Sequence, residues 1–305
     1  MFNVDFVFPY VNPNDPFWQT QFSYFKGTEF NLKEERFRDF SVVKYIFRSI
    51  EQYAPWINRI VLVVAYKSQL PSWLKECDNL YVVEHKDFIP KEYLPTFNSN
   101  TIEMFIHKIP GLAEHFIYSN DDLLFINNTS LGDFFENENK IKLAYTFQHK
   151  KNPTAFLGSC KRTWDVVEQL FSRHYNLSED YVFLKQFHGA ASPRLLSDCK
   201  ECYKLLEDKI LKSLSLFRNV DKNLNQYMFG YFSLYREHVS SIMMNNKIGV
   251  YLAAEDGIDK IEDAVFNCPA RMLCINDTKC MTVEILDKVY NFLEKKFPKK
   301  SKYEI

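Results

Sequence analysis

Short apolar strands alternate with helix-period segments through the first 128 residues of the chain. Residues 4–10 predict a buried strand, and apolar side chains spaced three and four apart at 42–50 predict a helix that ends before Pro55. The same patterns predict further strands at 60–65, 81–84 and 116–118 and a second helix at 102–109. Strands that alternate with helices form parallel βαβ units with right-handed crossovers. We therefore expect an α/β fold built on a mostly parallel sheet.

The composition and a change of pattern along the chain predict one large core that carries an insertion. The 305 residues are 46% hydrophobic and 25% charged, as in globular proteins, and no linker or low-complexity tract divides them. After residue 128 most segments are helix-like, until a strand-like segment at 270–275 and a final helix at 283–297. We predict an α/β core at 1–128, a helix-rich cap or insertion at 129–265, and a return to the core at 266–305.

The charge balance and the cysteines limit the classes of partner and chemistry. The formal net charge of -1 gives no broad attraction to nucleic acid, so no nucleic-acid partner is expected and any phosphate site must be local. The seven cysteines are odd in number, and the chain is too long to need disulfides, which favours reduced thiols. Cys199 and Cys202 have CxxC spacing, but no second pair accompanies them, so zinc or redox chemistry there is not favoured.

The sequence also predicts where the protein works. The N-terminus lacks a basic segment followed by an apolar one, and no segment approaches the roughly 18 uncharged apolar residues of a membrane span. We therefore expect a cytoplasmic protein. The basic residues at 295–302 are in keeping with a solvated helix end, although contact with anionic lipid at the inner face of the membrane is a second reading. Peripheral membrane association and homo-oligomer formation are both left open.

A cation site is predicted where the strand at 116–118 ends. Asn120, Asp121 and Asp122 follow this strand and precede another apolar run. Two adjacent carboxylates repel each other unless a divalent ion or a proton neutralises them, and Mg²⁺ or Mn²⁺ bridging a diphosphate is the usual solution. The same three residues also suit an ordinary turn, so the local sequence leaves both interpretations open.

A second pair of oxygen ligands follows the strand predicted at 270–275. Asn276 and Asp277 come directly after it. The carboxyl ends of parallel strands lie at one edge of an open sheet, where α/β proteins bind nucleotides. We therefore expect Asp121, Asp122, Asn276 and Asp277 to lie close enough to share one ion.

Four blocks of sequence stand out together, at 4–15, 36–57, 93–122 and 273–277. In this order they resemble the conserved regions of the Stealth family. The family includes bacterial capsule and exopolysaccharide phosphotransferases and the catalytic part of the animal N-acetylglucosamine-1-phosphotransferase. The resemblance covers most of the chain and implies a glycosyltransferase-A-like (Rossmann-like) fold: a mostly parallel sheet with a helix-rich insertion or cap.

The resemblance implies a reaction and its partners. A hydroxyl of a glycan or lipid-linked glycan attacks the β-phosphorus of a UDP-hexose, such as a UDP-N-acetylhexosamine, UMP leaves, and a hexose-1-phosphodiester forms. Mg²⁺ or Mn²⁺ is the implied cofactor. Two alternatives remain open: a UDP-sugar glycosyltransferase that releases UDP, and a non-catalytic module that binds nucleotide or glycan.

The resemblance also assigns roles to residues of the core and the cap. It places the metal on Asp122 and Asn276, with Asp277 and Asp121 nearby. His188 corresponds to the family's essential histidine in a histidine-proline stretch at the start of a helix, either as the base that takes the acceptor's proton or as a covalent carrier. The spacing from His188 to the following proline is longer than the usual family pattern.

Further residues are assigned to the nucleotide-sugar donor. Arg218 corresponds to a family arginine ahead of an aromatic helix, and a guanidinium can bind two phosphate oxygens at once. The first block departs from the family at Tyr10, where a tryptophan is usual, and at Pro13, where a glycine is usual. The other expected donor-binding residues are Asn12, Asn14, Asp15, Arg36, Arg38, Asp39, Asn98 and Asn120.

Overall fold

A computed structural model describes residues 2–31, 42–149, 154–171, 181–243, 245 and 247–305, and within them it contains twelve strands and eight α-helices. The strands are β1 (Val4–Pro9), β2 (Arg59–Val64), β3 (Leu80–Glu84), β4 (His115–Tyr118), β5 (Leu123–Phe125), β6 (Phe135–Asn137), β7 (Lys140–His149), β8 (Tyr181–Gln186), β9 (Ser192–Leu195), β10 (Val239–Met243), β11 (Gly249–Ala253) and β12 (Met272–Asn276). The helices are α1 (Pro16–Lys26), α2 (Val43–Tyr53), α3 (Ser99–Phe105), α4 (Ala155–Phe171), α5 (Leu196–Ser213), α6 (Tyr227–Tyr235), α7 (Ile258–Phe266) and α8 (Val283–Lys296).

A five-stranded sheet forms the centre of the fold. Its order is β3-β2-β1-β4-β9, in which the first four strands are parallel and β9 pairs antiparallel with β4. In β1, Phe6 pairs with Ile60 of β2, and Val7 pairs with Tyr118 of β4. These side chains are buried, which explains why β1 is apolar along nearly its whole length, as strands covered on both faces are. The mixed α/β architecture with a mostly parallel sheet, consistent with the glycosyltransferase-A-like fold, is confirmed.

Two smaller sheets complete the architecture. One has the order β10-β7-β6, with β8 paired to the other part of β7. The other has the order β11-β12-β5, in which β11 and β12 are parallel and β5 is antiparallel to β12. The segment 129–265 therefore supplies strands as well as helices, and its strand β9 completes the central sheet. The domain boundaries drawn from the sequence stay a prediction.

Helix α1 was not predicted, because the residues at 11–16 that lead into it include two prolines and are typical of a turn or loop. The Asp15 side chain accepts a hydrogen bond from the backbone N–H of Phe17 (2.9 Å), and Pro16 occupies the first turn. An aspartate cap followed by proline is a helix-start signal as well as a turn signal. The sequence at 131–135 also resembles a short helix, but only Leu131–Asp133 is helical, as a single 3₁₀ turn that is followed by β6.

The helices and the cysteines relate to two further expectations, that no segment spans a membrane and that the thiols are reduced. Among the residues that the structure describes, each helix is too short or too polar to cross a lipid bilayer. All seven cysteines are free thiols, and Cys199 and Cys202 lie buried in α5.

Candidate active site

A cavity of about 560 Å³ lies at the carboxyl ends of the central parallel strands. Tyr10, Ala65 and His85, which follow β1, β2 and β3, are part of its wall. This is the edge at which open α/β sheets bind their ligands. The cavity brings together these residues expected at the site: Asn120, Asp121, Asp122, His188, Arg218, Asn276 and Asp277.

An antiparallel strand pair, rather than a shared edge of parallel strands, brings the acidic segments together. Cys274 of β12 pairs with Leu123 of β5, and the N–H of Ile275 donates to the carbonyl of Asp122 (3.0 Å). One further step in this register sets Asn276 opposite Asp121. The expected geometry was therefore wrong: after the Asn-Asp-Asp turn the chain continues into β5, and the end of β12 meets the beginning of that strand. The segments still meet in one cavity.

Asp122 carries a buried oxygen that no described residue satisfies. Its Oδ1 atom is inaccessible to solvent and has no hydrogen-bond partner in the described part of the chain. Burial raises the pKa of the Asp122 carboxyl, and the neighbouring His188 opposes that shift. Buried polar atoms are almost always paired, so an orphaned carboxylate oxygen at a cavity wall suits a bound cation.

The residues present therefore fit a divalent metal ion. Asp122 would be a ligand, and Asn276 and Asp277 lie on the same cavity wall. One side-chain N–H of Asn276 donates to the backbone carbonyl of Asp277 (3.1 Å), which fixes the amide nitrogen, and the carbonyl oxygen of the amide can serve as a ligand. Carboxylate and amide oxygens are the donors that Mg²⁺ and Mn²⁺ accept.

His188 lies in the turn between β8 and β9, not at the start of a helix as expected. Its Nε2 is 3.0 Å from Asn120 Nδ2, and its Nδ1 is 3.2 Å from the Tyr227 hydroxyl oxygen. With the amide nitrogen donating, Nε2 accepts and Nδ1–H donates to Tyr227. Burial lowers the pKa of His188, and the Asp122 carboxyl only partly opposes this shift. The imidazole is thus neutral at neutral pH, which a base requires.

Close backbone packing holds the His188 turn in place. A Cβ atom added at Gly189 would lie 2.6 Å from the Phe187 ring and 2.9 Å from the carbonyl oxygen of Val250 in β11. Such distances leave no room for a side chain, so the turn can approach β11 only because residue 189 is glycine.

Arg218 supplies a cation to the cavity wall. It lies in the segment between α5 and α6 and donates to the Ser99 hydroxyl at the beginning of α3. Arg218 also acts on Glu103, whose pKa is raised by burial and lowered in part by this guanidinium. Tyr118 donates its hydroxyl to Glu103 Oε1 (3.0 Å). Glu103 and Arg218 thus interact electrostatically at the cavity wall.

Several expected donor-binding residues instead hold the chain around the cavity. Asp15 caps α1 and accepts from the Ser68 hydroxyl (2.7 Å), and Asn12 Oδ1 accepts from the backbone N–H of Asn14 (3.0 Å). In the described part of the chain, the cavity wall does not include Asn12, Asn14 or Asp15. Their role in donor binding stays a prediction.

Asn98 likewise serves the structure around the site. It caps α3, where its Oδ1 accepts from the backbone N–H of Asn100 (3.1 Å), and its amide donates to Asn223 Oδ1 (3.1 Å). These bonds connect α3 to the segment that carries Arg218. Arg36, Arg38 and Asp39 lie outside the described residues.

Cys274, Tyr227 and Glu103 line or adjoin the site but were not predicted. Side chains in a strand alternate between faces, so Cys274 shares a face of β12 with Asn276, and that spacing was a usable signal. Tyr227 belongs to the aromatic helix that follows Arg218 and had no role assigned to it. Glu103 had no distinguishing pattern, since only the fold buries it against Tyr118.

The fold and this site together define an α/β protein of the glycosyltransferase-A-like class, with acidic, imidazole and guanidinium groups in one cavity at the carboxyl edge of the sheet. Residues 36–143 match the family model "Stealth protein CR2, conserved region 2". The chain is also similar to the capsular polysaccharide phosphotransferase WcwK of Streptococcus pneumoniae, with 32% identity over an alignment of 339 positions, gaps included, that covers 99% of each chain. The chain belongs to the Stealth family.

Two other relatives support this assignment. The capsular polysaccharide phosphotransferase LcbA of Aeromonas hydrophila is 34% identical over 246 residues, which cover 77% of this chain and 67% of the relative. The exopolysaccharide phosphotransferase cps2G of Lactiplantibacillus plantarum is 38% identical over 138 residues, which cover 45% of this chain and 40% of the relative. The resemblance inferred from the sequence blocks is confirmed.

Proposed function

We propose that this protein transfers a hexose-1-phosphate from a UDP-hexose, such as a UDP-N-acetylhexosamine, to a hydroxyl of a glycan or lipid-linked glycan. UMP is released, and the reaction belongs to capsular or exopolysaccharide synthesis. The observation that carries this proposal is the convergence of Asp122, His188 and Arg218 in one cavity of a chain that is similar along its whole length to a capsular polysaccharide phosphotransferase.

Each of these groups has a task suited to its chemistry. The Arg218 guanidinium binds the donor diphosphate and neutralises charge that develops on it. Asp122, Asn276 and Asp277 would hold Mg²⁺ or Mn²⁺, and the ion would stabilise the charge on the phosphate oxygens. Phosphoryl transfer needs positioning and charge neutralisation more than covalent chemistry, and this donor set provides both.

His188 serves as the base. The acceptor hydroxyl takes the place of the Asn120 amide at Nε2, and Tyr227 keeps the other ring nitrogen protonated. The acceptor oxygen forms a bond to the β-phosphorus, the bond from that phosphorus to the oxygen of UMP breaks, and the hydroxyl proton passes to Nε2. Asp121, which follows Asn120 in the same turn, lies at the cavity wall near the reacting groups.

The test is product analysis with a panel of UDP-sugars, Mg²⁺ and a glycan acceptor. Release of UMP by the wild type, lost in Asp122→Asn, supports the proposal. The matched control is Asp208→Asn, which makes the same change at an exposed position of α5 and should retain turnover. Release of UDP would instead identify a glycosyltransferase. Donor binding without turnover in the wild type would identify a binding module.

A further inference from the structure

Three side chains from three separate elements present nitrogen, oxygen and sulfur donors to one point of the cavity wall. Asp122 precedes β5, Cys274 lies in β12, and His188 lies in the turn after β8. One potential ligand atom of each lies within 4.8 Å of the other two. The sulfur does not fit the site proposed for Mg²⁺, because Mg²⁺ prefers oxygen ligands in octahedral geometry.

This donor set is one that zinc favours. Zn²⁺ binds cysteine sulfur, histidine nitrogen and carboxylate oxygen at about 2.0–2.3 Å in tetrahedral sites, which puts neighbouring ligand atoms about 3.4–3.8 Å apart. The ligand atoms of the three groups, which lie at most 4.8 Å apart, therefore exceed the required separation by at most about 1.0–1.4 Å. Asp122 and His188 both line the cavity, so a fourth position would face solvent and an ion can enter there.

The surroundings of the three groups also suit an ion. A histidine that binds a metal through one ring nitrogen usually donates a hydrogen bond from the other, which fixes its orientation. Tyr227 accepts such a bond from His188 Nδ1, which leaves Nε2 for the metal once the Asn120 amide is displaced. Asp122 Oδ1 has no hydrogen-bond partner in the described part of the chain.

We propose that Asp122, His188 and Cys274 form an inhibitory binding site for Zn²⁺. Binding releases the thiol proton of Cys274 to solvent and joins the three side chains through the ion. Zinc in this site withdraws His188 from its role as base and Asp122 from the Mg²⁺ site, so the inhibitory half of the proposal rests on the proposed function. The binding half stands on the geometry of the three donors alone.

Cobalt substitution tests the binding half directly. Co²⁺ added to the metal-free full-length protein should produce the near-ultraviolet charge-transfer absorption of a cobalt–thiolate bond, and one equivalent of Zn²⁺ should remove it. Cys274→Ser should abolish the absorption, whereas Cys280→Ser, the same change at an exposed thiol, should retain it. No absorption in the wild type, or an equal absorption in Cys274→Ser, would overturn the proposal.

A second variant keeps the test decisive if Cys274→Ser fails to fold. His188→Gln changes a turn residue and should weaken Zn²⁺ binding roughly tenfold or more, measured by competition with a chromophoric chelator. Unchanged affinity in this variant would also refute the site.

The inhibitory half is measured at saturating Mg²⁺. The Zn²⁺ concentration that halves the rate should rise roughly tenfold or more in Cys274→Ser, with each variant compared with its own zinc-free rate. Equal sensitivity in wild type and variant would refute inhibition through this site. If the chain lacks phosphotransfer activity, the cobalt experiment still decides the binding half, so the two proposals fail separately.

Discussion

Replacing Asp122 with asparagine should make the metal-free protein more stable while abolishing its proposed activity. The buried Oδ1 of Asp122 has no described partner, and burial raises the pKa of the carboxyl, so its ionised form destabilises the folded state. Asparagine keeps the shape and removes the charge. A buried unsatisfied polar group costs about 1–3 kcal/mol, and because the amide oxygen keeps part of that cost, we expect a gain of about 1–2 kcal/mol.

The assay is thermal unfolding in a chelating buffer. For a chain of this size a gain of that order raises Tm by about 2–4 °C. The gain should be full above the raised pKa that the Asp122 carboxyl has in the folded protein. It should shrink as the pH falls through that pKa towards the ordinary value of 3.8, below which the wild-type carboxyl is protonated in both states. The exposed control, Asp208→Asn, should change the unfolding free energy by less than about 0.5 kcal/mol.

Adding Mg²⁺ should reverse the order of stability. An ion that binds only the folded state at about 100 times its Kd adds about 2.7 kcal/mol, and Asp122→Asn should gain much less because it has lost a ligand. A variant less stable than the wild type in chelator, at a pH where the carboxyl is ionised, would refute the reasoning from the buried oxygen. Equal stabilisation by Mg²⁺ in both proteins would refute the metal site.

Three other substitutions test the remaining roles. Arg218→Lys should lower kcat/KM for the donor roughly 10- to 100-fold, because one charge-assisted hydrogen bond of about 1.5–3 kcal/mol is lost. The control is Arg236→Lys, which alters an exposed ion pair with Glu201 and should match the wild type in the same assay. Asn276→Ala should raise the Mg²⁺ concentration needed for half-maximal turnover, and an unchanged requirement would exclude this amide as a ligand. Cys199→Ser, at a buried position of α5, should leave turnover intact, and a large loss of turnover would restore a role for the CxxC spacing.

Local patterns were sufficient to find most elements of the central sheet. The strands predicted at 60–65 and 81–84 correspond to β2 (Arg59–Val64) and β3 (Leu80–Glu84). The strand β2 is buried along nearly its whole length, and both strands are recognisable from their own apolar, β-branched residues. The short strands β9 and β11 were not predicted. The formation of β9 depends on an edge supplied by β4, which lies far away in the sequence, and that of β11 depends on β12, which follows only after α7.

The site shows the same division between local and distant information. Asp122 and Asn276 were identified because polar residues directly follow apolar strands, which is a local signal. Their meeting through antiparallel β5 and β12 was not foreseen, since pairing direction depends on how the chain turns after Asp122. Cys274 and Tyr227 join His188 only through packing between separate elements.

The sequence by itself determined the α/β class, the polar residues that end two strands, and membership of the Stealth family. The tertiary structure decided which strands pair, which acidic oxygen is left buried without a partner, and which side chains surround His188. The physical reason is that strand and turn propensities depend on residues a few positions apart. Burial and pairing depend instead on contacts between distant segments, such as Asp122 with Cys274, which exist only once the chain has folded.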